Sequence, residues 1–283
     1  MNKEAHPFYS SSGQKKYINP LLNNIIENYQ KNKTAIIGIQ GGQGTGKTTL
    51  AIFLQEKLRK TGYTVESFSI DDFYTSYKER KRLAQQYPTN PYYQISRGIP
   101  GTHRVRELLH TLQNIKDGKP FTIPHFDKSL HHGAGDIIGE RKVKERVDFV
   151  LFEGWCVGLP LVSKKEVEHI CQKNKIFLPP GYDIVLQFLK LYQPLWKYLD
   201  YVIMLKPQHS GLHLKWRRQQ EQELQQQKGN SMSRKQMEHF VDIYLPLTYA
   251  GYEKIKADAV LTIDRRHEFV ELTSSPTING GDS

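Results

Sequence analysis

The sequence predicts an α/β fold, a mostly parallel sheet with helices on both faces, and three observations lead to it. Apolar runs of strand length alternate along the chain with amphipathic stretches of helix length. Several runs, "TAIIGIQ" (34–40), "VDFVLF" (147–152) and "YVIML" (201–205), are nearly all apolar, as strands covered on both faces are. The first of them runs into a glycine-rich turn and then the helix-favouring "TTLAIFLQEKLRK".

In chain order, "INPLLNNIIENYQ" (18–30) reads as a leading amphipathic helix, followed by the strand at 34–40 and a helix over 47–60. "TVESFSI" (64–70) is a second strand, ahead of helices over 76–86 and 104–116. The strand at 147–152 leads to a helix over 182–199, and that at 201–205 to helices over 209–227 and 233–255. "AVLTI" (259–263) is the last strand. "SRKQ" (233–236) has capping-box spacing, and Pro246 predicts a kink or interruption in the helix that follows it. Residues 88–146, rich in Pro, Gly, His and charge, read as an insertion over the active face, and 264–283 as a tail whose end frays. The division is a single domain over 1–283, with its core in 34–87 and 147–263.

A length of 283 residues suits one large domain with insertions. No apolar run approaches the ~18 residues of a membrane span, and the first residues lack the apolar stretch of a signal peptide, so a cytosolic protein is expected. Cys156 and Cys171 are too few for a disulfide framework and wrongly spaced for a metal knuckle, which predicts reduced thiols. The net charge of +11 fits nucleic acid, an anionic membrane surface, anionic small molecules such as ATP, or simply a solvated basic surface. Part of the excess sits in "KWRR" (215–218) and "RKVKER" (141–146); "KERKR" (78–82) reads as an exposed helix face.

The stretch "GGQGTGKTT" carries Gly41, Gly42, Gln43, Gly44, Thr45, Gly46, Lys47, Thr48 and Thr49 in the G-x-x-x-x-G-K-[ST] pattern between a strand and a helix. Glycines admit φ > 0 and bring backbone N–H groups to bear on phosphate oxygens, and the helix adds its N-terminal dipole. Lys47 is placed to reach the β- and γ-phosphates, and the Thr48 hydroxyl to take a position on Mg²⁺. Ligands of a parallel sheet gather at the carboxyl ends of its strands, where "DDFY" (71–74) and "EGW" (153–155) follow the second and third strands. Asp71 and Glu153 become candidates to orient an attacking hydroxyl and to hold Mg²⁺.

The blocks "GGQGTGKTT", "SIDDFY", "RGIPGTH", "FDKS", "LFEGWCVG", "WRRQQEQEL" and "MSRKQMEHFVDIYLPLTY" occur in an order that resembles D-glycerate 3-kinase-like proteins. These belong to the P-loop kinases that include phosphoribulokinase, uridine kinase and pantothenate kinase. The resemblance implies a P-loop NTPase fold with an acceptor-site insertion and a helical lid over 209–228. It implies transfer of the ATP γ-phosphate to an alcohol, most directly D-glycerate or a related hydroxy acid, with Mg²⁺. Asp71 then falls at the general base, with Asp72 in reserve, and Glu153 beside the metal with Thr48 and Asp71. Arg217 and Arg218 fall on the lid that closes on the phosphates; the competing reading of "KWRR" is an exposed basic helix. Tyr74, Arg97, His103, Asp127, Lys128 and His131 fall in blocks that line the acceptor pocket.

The chain departs from the resembled pattern at "GTHR" (101–104) and "GAGDI" (133–137), with Arg104 in place of an acid and Ala134 and Ile137 in place of arginines. The expectation is that charge has been relocated and that Arg104 clamps an acceptor carboxylate; the alternative is that Arg104 only begins the helix "RVRELLHTLQ". The rival activities are a kinase for a nucleoside or a pantothenate-like acid, and a nucleic-acid-associated ATPase. Against the last, the basic residues are not interleaved with stacking aromatics.

Overall fold

The computed structural model describes residues 11–209, 211–213, 215–216, 219 and 234–274. A π-helical turn, Gln14–Ile18, leads into α1 (Asn19–Glu27). There follow β1 (Ala35–Gly41), α2 (Lys47–Lys60), β2 (Val65–Ser69), α3 (Tyr77–Gln86), α4 (Val105–Lys116), β3 (Phe121–Asp127), β4 (Asp136–Val143) and β5 (Phe149–Gly154). Then come α5 (Lys164–Asn174), α6 (Tyr182–Tyr192), β6 (Tyr201–Pro207), α7 (Arg234–Lys254), β7 (Ala259–Ile263) and β8 (Phe269–Ser274).

Among the described residues, six strands form one sheet in the order β2-β5-β1-β6-β7-β8, parallel except for β8, while β3 and β4 pair as a separate antiparallel hairpin. Strand alternation divides the apolar runs between two covered faces. Ile37, Ile39, Phe149, Leu151, Ile203 and Leu205 pack with α1 and α2 through Leu21, Ile25, Leu50, Phe53 and Leu54. On the opposite face Ile36, Val150 and Phe152 meet Leu108, Leu112 and Ile115 of α4, and Val202 and Met204 meet α5, α6 and α7 through Val167, Leu189, Leu247 and Ala250. An element with both faces buried has no room for alternation with polar residues, which is why these strands read as continuous apolar runs.

Several expectations are corrected. Ile70 begins a 3₁₀ turn, Ile70–Phe73, capped by Ser69, and does not extend β2. The helix expected to reach 199 stops at Tyr192, and Gln193–Tyr198 tightens into a 3₁₀ turn at Pro194, which has no N–H to donate to the ladder. Pro246 does not interrupt α7, which runs through it from Arg234 to Lys254. The β3–β4 hairpin, α5 and β8 were not expected: β3 contains Pro124, β4 is mostly exposed and charged, and β8 falls in the stretch read as a tail. Arg80, in the face read as exposed, is buried. Ser233 and most of the 209–228 helix lie outside the described residues.

Candidate active site

The glycine-rich turn joins β1 to α2. Gly46 stands at the N-cap of α2 with φ 86°, and no side chain caps that end, so the first-turn N–H groups are left for a ligand. The Thr45 hydroxyl donates to the Gly42 carbonyl at 2.8 Å and Lys47 Nζ donates to the same oxygen at 3.0 Å. The Gly42 N–H donates to the Tyr252 hydroxyl at 3.0 Å, that hydroxyl donates to His213 Nε2 at 3.2 Å, and His213 Nδ1 donates to the Gln43 carbonyl at 3.3 Å. A Cβ on Gly42 would lie 2.2 Å from the His213 ring and 2.7 Å from the Tyr252 hydroxyl, so only glycine fits there. From the turn after β7, His267 Nε2 donates to the Gly44 carbonyl at 2.9 Å. Thr49 follows in the first turn of α2.

Sheet order brings the carboxylates to this turn. In β5, Glu153 pairs with Ile39 of β1 on one side and Ser69 of β2 on the other, so the ends of the three strands stand side by side. The Thr48 hydroxyl donates to Glu153 Oε1 at 2.7 Å. Burial raises the Glu153 pKa, opposed by the Lys47 charge, and burial lowers that of Lys47, opposed by Glu153 and Asp71. Asp71 receives hydrogen bonds from the Tyr74 hydroxyl at 2.8 Å and from Lys128 Nζ at 2.6 Å. Burial raises its pKa, but the Lys128 charge and the hydrogen bonds from Lys128 and Tyr74 hold it below the usual carboxylate range. Asp72 differs: its Oδ2 accepts from the Ser69 N–H at 2.8 Å in a capping box, and burial raises its pKa.

On the acceptor side, Tyr74 and His103 form an isolated antiparallel bridge, with rings stacked at 4.5 Å. The Arg97 guanidinium lies over the Tyr74 and Phe126 rings at 6.0 and 5.9 Å and donates to the Gly133 carbonyl. Asp127 accepts from the Ser129 N–H and hydroxyl at 2.8 and 2.7 Å. His131 stacks on Tyr77 at 4.0 Å, and its Nε2 contacts Asp136 at 3.1 Å. Ala134 and Ile137 sit in the loop and strand that follow, Ile137 opposite Phe126. Arg104 is the N-cap of α4; its Nη1 donates to Glu107 at 2.6 Å and its Nε to the Tyr74 carbonyl at 3.2 Å, while its buried Nη2 has no partner. Lys128 contacts Asp71 directly, Lys47 is coupled to it electrostatically, and Arg97 stands over the Tyr74 ring. Arg217 and Arg218 lie outside the described residues.

Four contributors were missed by sequence reading. Arg80 donates to the carbonyls of Thr75, Ser96, Ala134 and Gly135, tying together the segments that carry Tyr74, Arg97 and His131. Its setting in "KERKR" has no local mark of burial. His213 and Tyr252 lie just outside resembled blocks, whereas Tyr192 lies in none of them and nothing in the sequence pointed to it.

The residues fit a nucleotide with a divalent cation: an uncapped helix start, a lysine, and a hydroxyl and a carboxylate 2.7 Å apart as hard oxygen donors. Among the described residues no group of three or more His, Cys, Asp or Glu is placed to hold a metal ion.

No family model matches the chain. It is 34% identical over 218 residues to the uncharacterized kinase mug58 of Schizosaccharomyces pombe, covering 75% of this chain and 78% of that protein. The solved D-glycerate 3-kinase from Cryptococcus neoformans var. grubii superposes with a TM-score of 0.79 at 25% identity, over 91% of this chain and 99% of that one. The chain belongs to the D-glycerate 3-kinase-like family of P-loop kinases. As a member of that family it is a kinase, a phosphotransferase of α/β architecture. The chloroplastic D-glycerate 3-kinase of Arabidopsis thaliana is 29% identical over 225 residues, which are 77% of this chain and 47% of the plant protein, so the chain spans about half of that relative's length. Among the described residues no helix is long and apolar enough to cross a membrane.

Proposed function

We propose that the protein transfers the γ-phosphate of ATP to a hydroxyl of D-glycerate or a related small hydroxy acid. The observation that carries this reading is Asp71, an ionised carboxylate at the end of β2, two strands from the phosphate loop with the Glu153–Thr48 pair between them. Thr48 and Glu153 would hold Mg²⁺, whose charge offsets that of the β- and γ-phosphate oxygens. Lys47 adds charge where it develops during transfer. Asp71, kept deprotonated by Lys128 and Tyr74, accepts the proton of the attacking hydroxyl. An acceptor carboxylate entering this pocket needs a cation or several N–H donors, and Lys128 and Arg97 supply them. In this reading 88–146 covers the acceptor and 209–228 closes on the phosphates.

A coupled ADP-release screen over D-glycerate, other hydroxy acids, nucleosides and pantothenate tests the proposal, with the phosphorylated position assigned by NMR. Turnover of D-glycerate or a close hydroxy acid is expected. Turnover confined to nucleosides or uncharged alcohols would overturn the substrate class, and polynucleotide-stimulated hydrolysis with no phosphorylated small product would overturn the reaction.

A further inference from the structure

His103 carries a buried ring nitrogen with no hydrogen-bond partner. The residue is 8% exposed, and its Nε2 is sealed from solvent and unbonded. Leaving such a group unpaired costs on the order of 1–3 kcal/mol, and beside a site it marks a place where a ligand can complete the bond.

The other ring nitrogen determines what Nε2 can offer. Nδ1 lies 2.8 Å from the Tyr192 hydroxyl, whose oxygen already accepts from the Gly101 N–H at 3.1 Å. A hydroxyl that accepts from an N–H still has its own proton to donate, and Nδ1 is the acceptor in reach. Nδ1 is therefore the lone-pair nitrogen, and the imidazole proton sits on Nε2. Burial, opposed by Asp71, pushes the ring pKa down to about 4, so the ring is neutral near pH 7. The ring stands beside the reacting end of the site: it stacks on Tyr74, whose hydroxyl donates to Asp71 at 2.8 Å, and Asp71 acts on it electrostatically.

We infer that Tyr192, at the end of α6, is a positioning residue that locks His103 as the Nε2–H tautomer, and that His103 thereby gives the acceptor a neutral hydrogen-bond donor for one of its oxygens. The inference rests on the reading of Asp71 as the base and adds how the acceptor is aligned beside it. A neutral donor reads an oxygen without adding a positive charge that would compete with the substrate for Asp71.

Nitrogen-15 NMR of the histidine-labelled full chain reads the tautomer directly, with the His103 signals identified by their loss in His103→Gln. The Nε2–H form is expected in the wild type and a mixed population in Tyr192→Phe. A wild-type proton on Nδ1, or a tautomer unchanged in Tyr192→Phe, overturns the lock. Kinetics with D-glycerate as the probe read the donor. His103→Asn, whose amide reaches only the Nδ1 position, should raise the acceptor KM about 30-fold, Tyr192→Phe about tenfold, and His103→Gln, whose amide nitrogen reaches the Nε2 position, much less. The KM for ATP should move less than about twofold in each. Equal losses in the Asn and Gln variants, or an ATP KM that rises in step, would reduce His103 to packing and overturn the donor role. Because the tautomer needs no substrate, a wild type inert to D-glycerate but carrying the Nε2–H ring overturns the glycerate reading alone. The KM comparison then moves to the alcohol that the screen returns.

Discussion

Asp71 and Asp72 are adjacent in sequence and opposite in electrostatics. Tyr74 and Lys128 hold Asp71 ionised, whereas Asp72 closes a capping box on Ser69 and burial raises its pKa. Asp71→Asn should lower kcat by roughly 100-fold or more while leaving the KM for ATP in place, because the lost contact is with the acceptor proton. Asp72→Ala should instead cost about 1 kcal/mol in urea unfolding, the usual loss for a cap, with turnover changed only a few-fold. Steady-state kinetics in which Asp72→Ala is the more damaging would transfer the base to Asp72. The arginines separate in the same way. The Arg104 charge is paired with Glu107, so Arg104→Ala should change the acceptor KM by less than about threefold. Arg97→Ala should raise it by about one to two orders of magnitude, the cost of a charge-assisted contact. The reverse ranking would restore the carboxylate clamp to Arg104.

At the scale of elements, the acceptor side is built from loops and a hairpin, and Arg80 of α3 ties their backbones together. One guanidinium serves four carbonyls from three segments, and its plane lies over Phe126 at 5.1 Å. A planar fork can satisfy divergent carbonyls at once; a lysine ammonium cannot match that geometry. Arg80→Met, which keeps much of the stem, leaves buried acceptors unpaired and should cost about 3 kcal/mol or more in chemical denaturation. Arg80→Lys should recover only part of that loss. A methionine variant as stable as the wild type would mean that water or rearranged backbone replaces the guanidinium.

Across the whole molecule, two buried neutral histidines stand at opposite ends of the site, His103 on the acceptor side and His213 at the phosphate loop. Burial pushes both pKa values down to about 4. An unfolded histidine titrates near 6.5, so as pH falls the unfolded chain binds protons first and stability declines between about pH 6.5 and 4. From pH 7.5 to pH 5 each ring should contribute about 2 kcal/mol of loss, roughly 4 kcal/mol together. Urea unfolding at the two pH values measures it, and His103→Gln should remove about half of the decline. Stability independent of pH over that interval would mean that the rings are solvated in the folded state.

The sequence by itself determined the parallel sheet, the phosphate loop and the two carboxylate-bearing strand ends. Each is written locally: Ile36–Ile39, Phe149–Phe152 and Tyr201–Leu205 are apolar because both faces are covered, and the glycines around Lys47 are needed where they stand. Only the tertiary structure decided which residues meet. Arg80 looks like its exposed neighbours until Ser96 and Gly135 fold onto it, and Arg104 looks free until Glu107 and Tyr74 claim it. Tyr192 sits 89 residues from His103, and Tyr252 210 residues from Gly42. The β3–β4 hairpin and β8 escaped for a related reason, since an exposed, charged strand has no apolar period to reveal it. Periodicity records which side of an element meets a core, whereas a polar contact between distant segments is chosen by the packing that brings them together and leaves no periodic trace in either one.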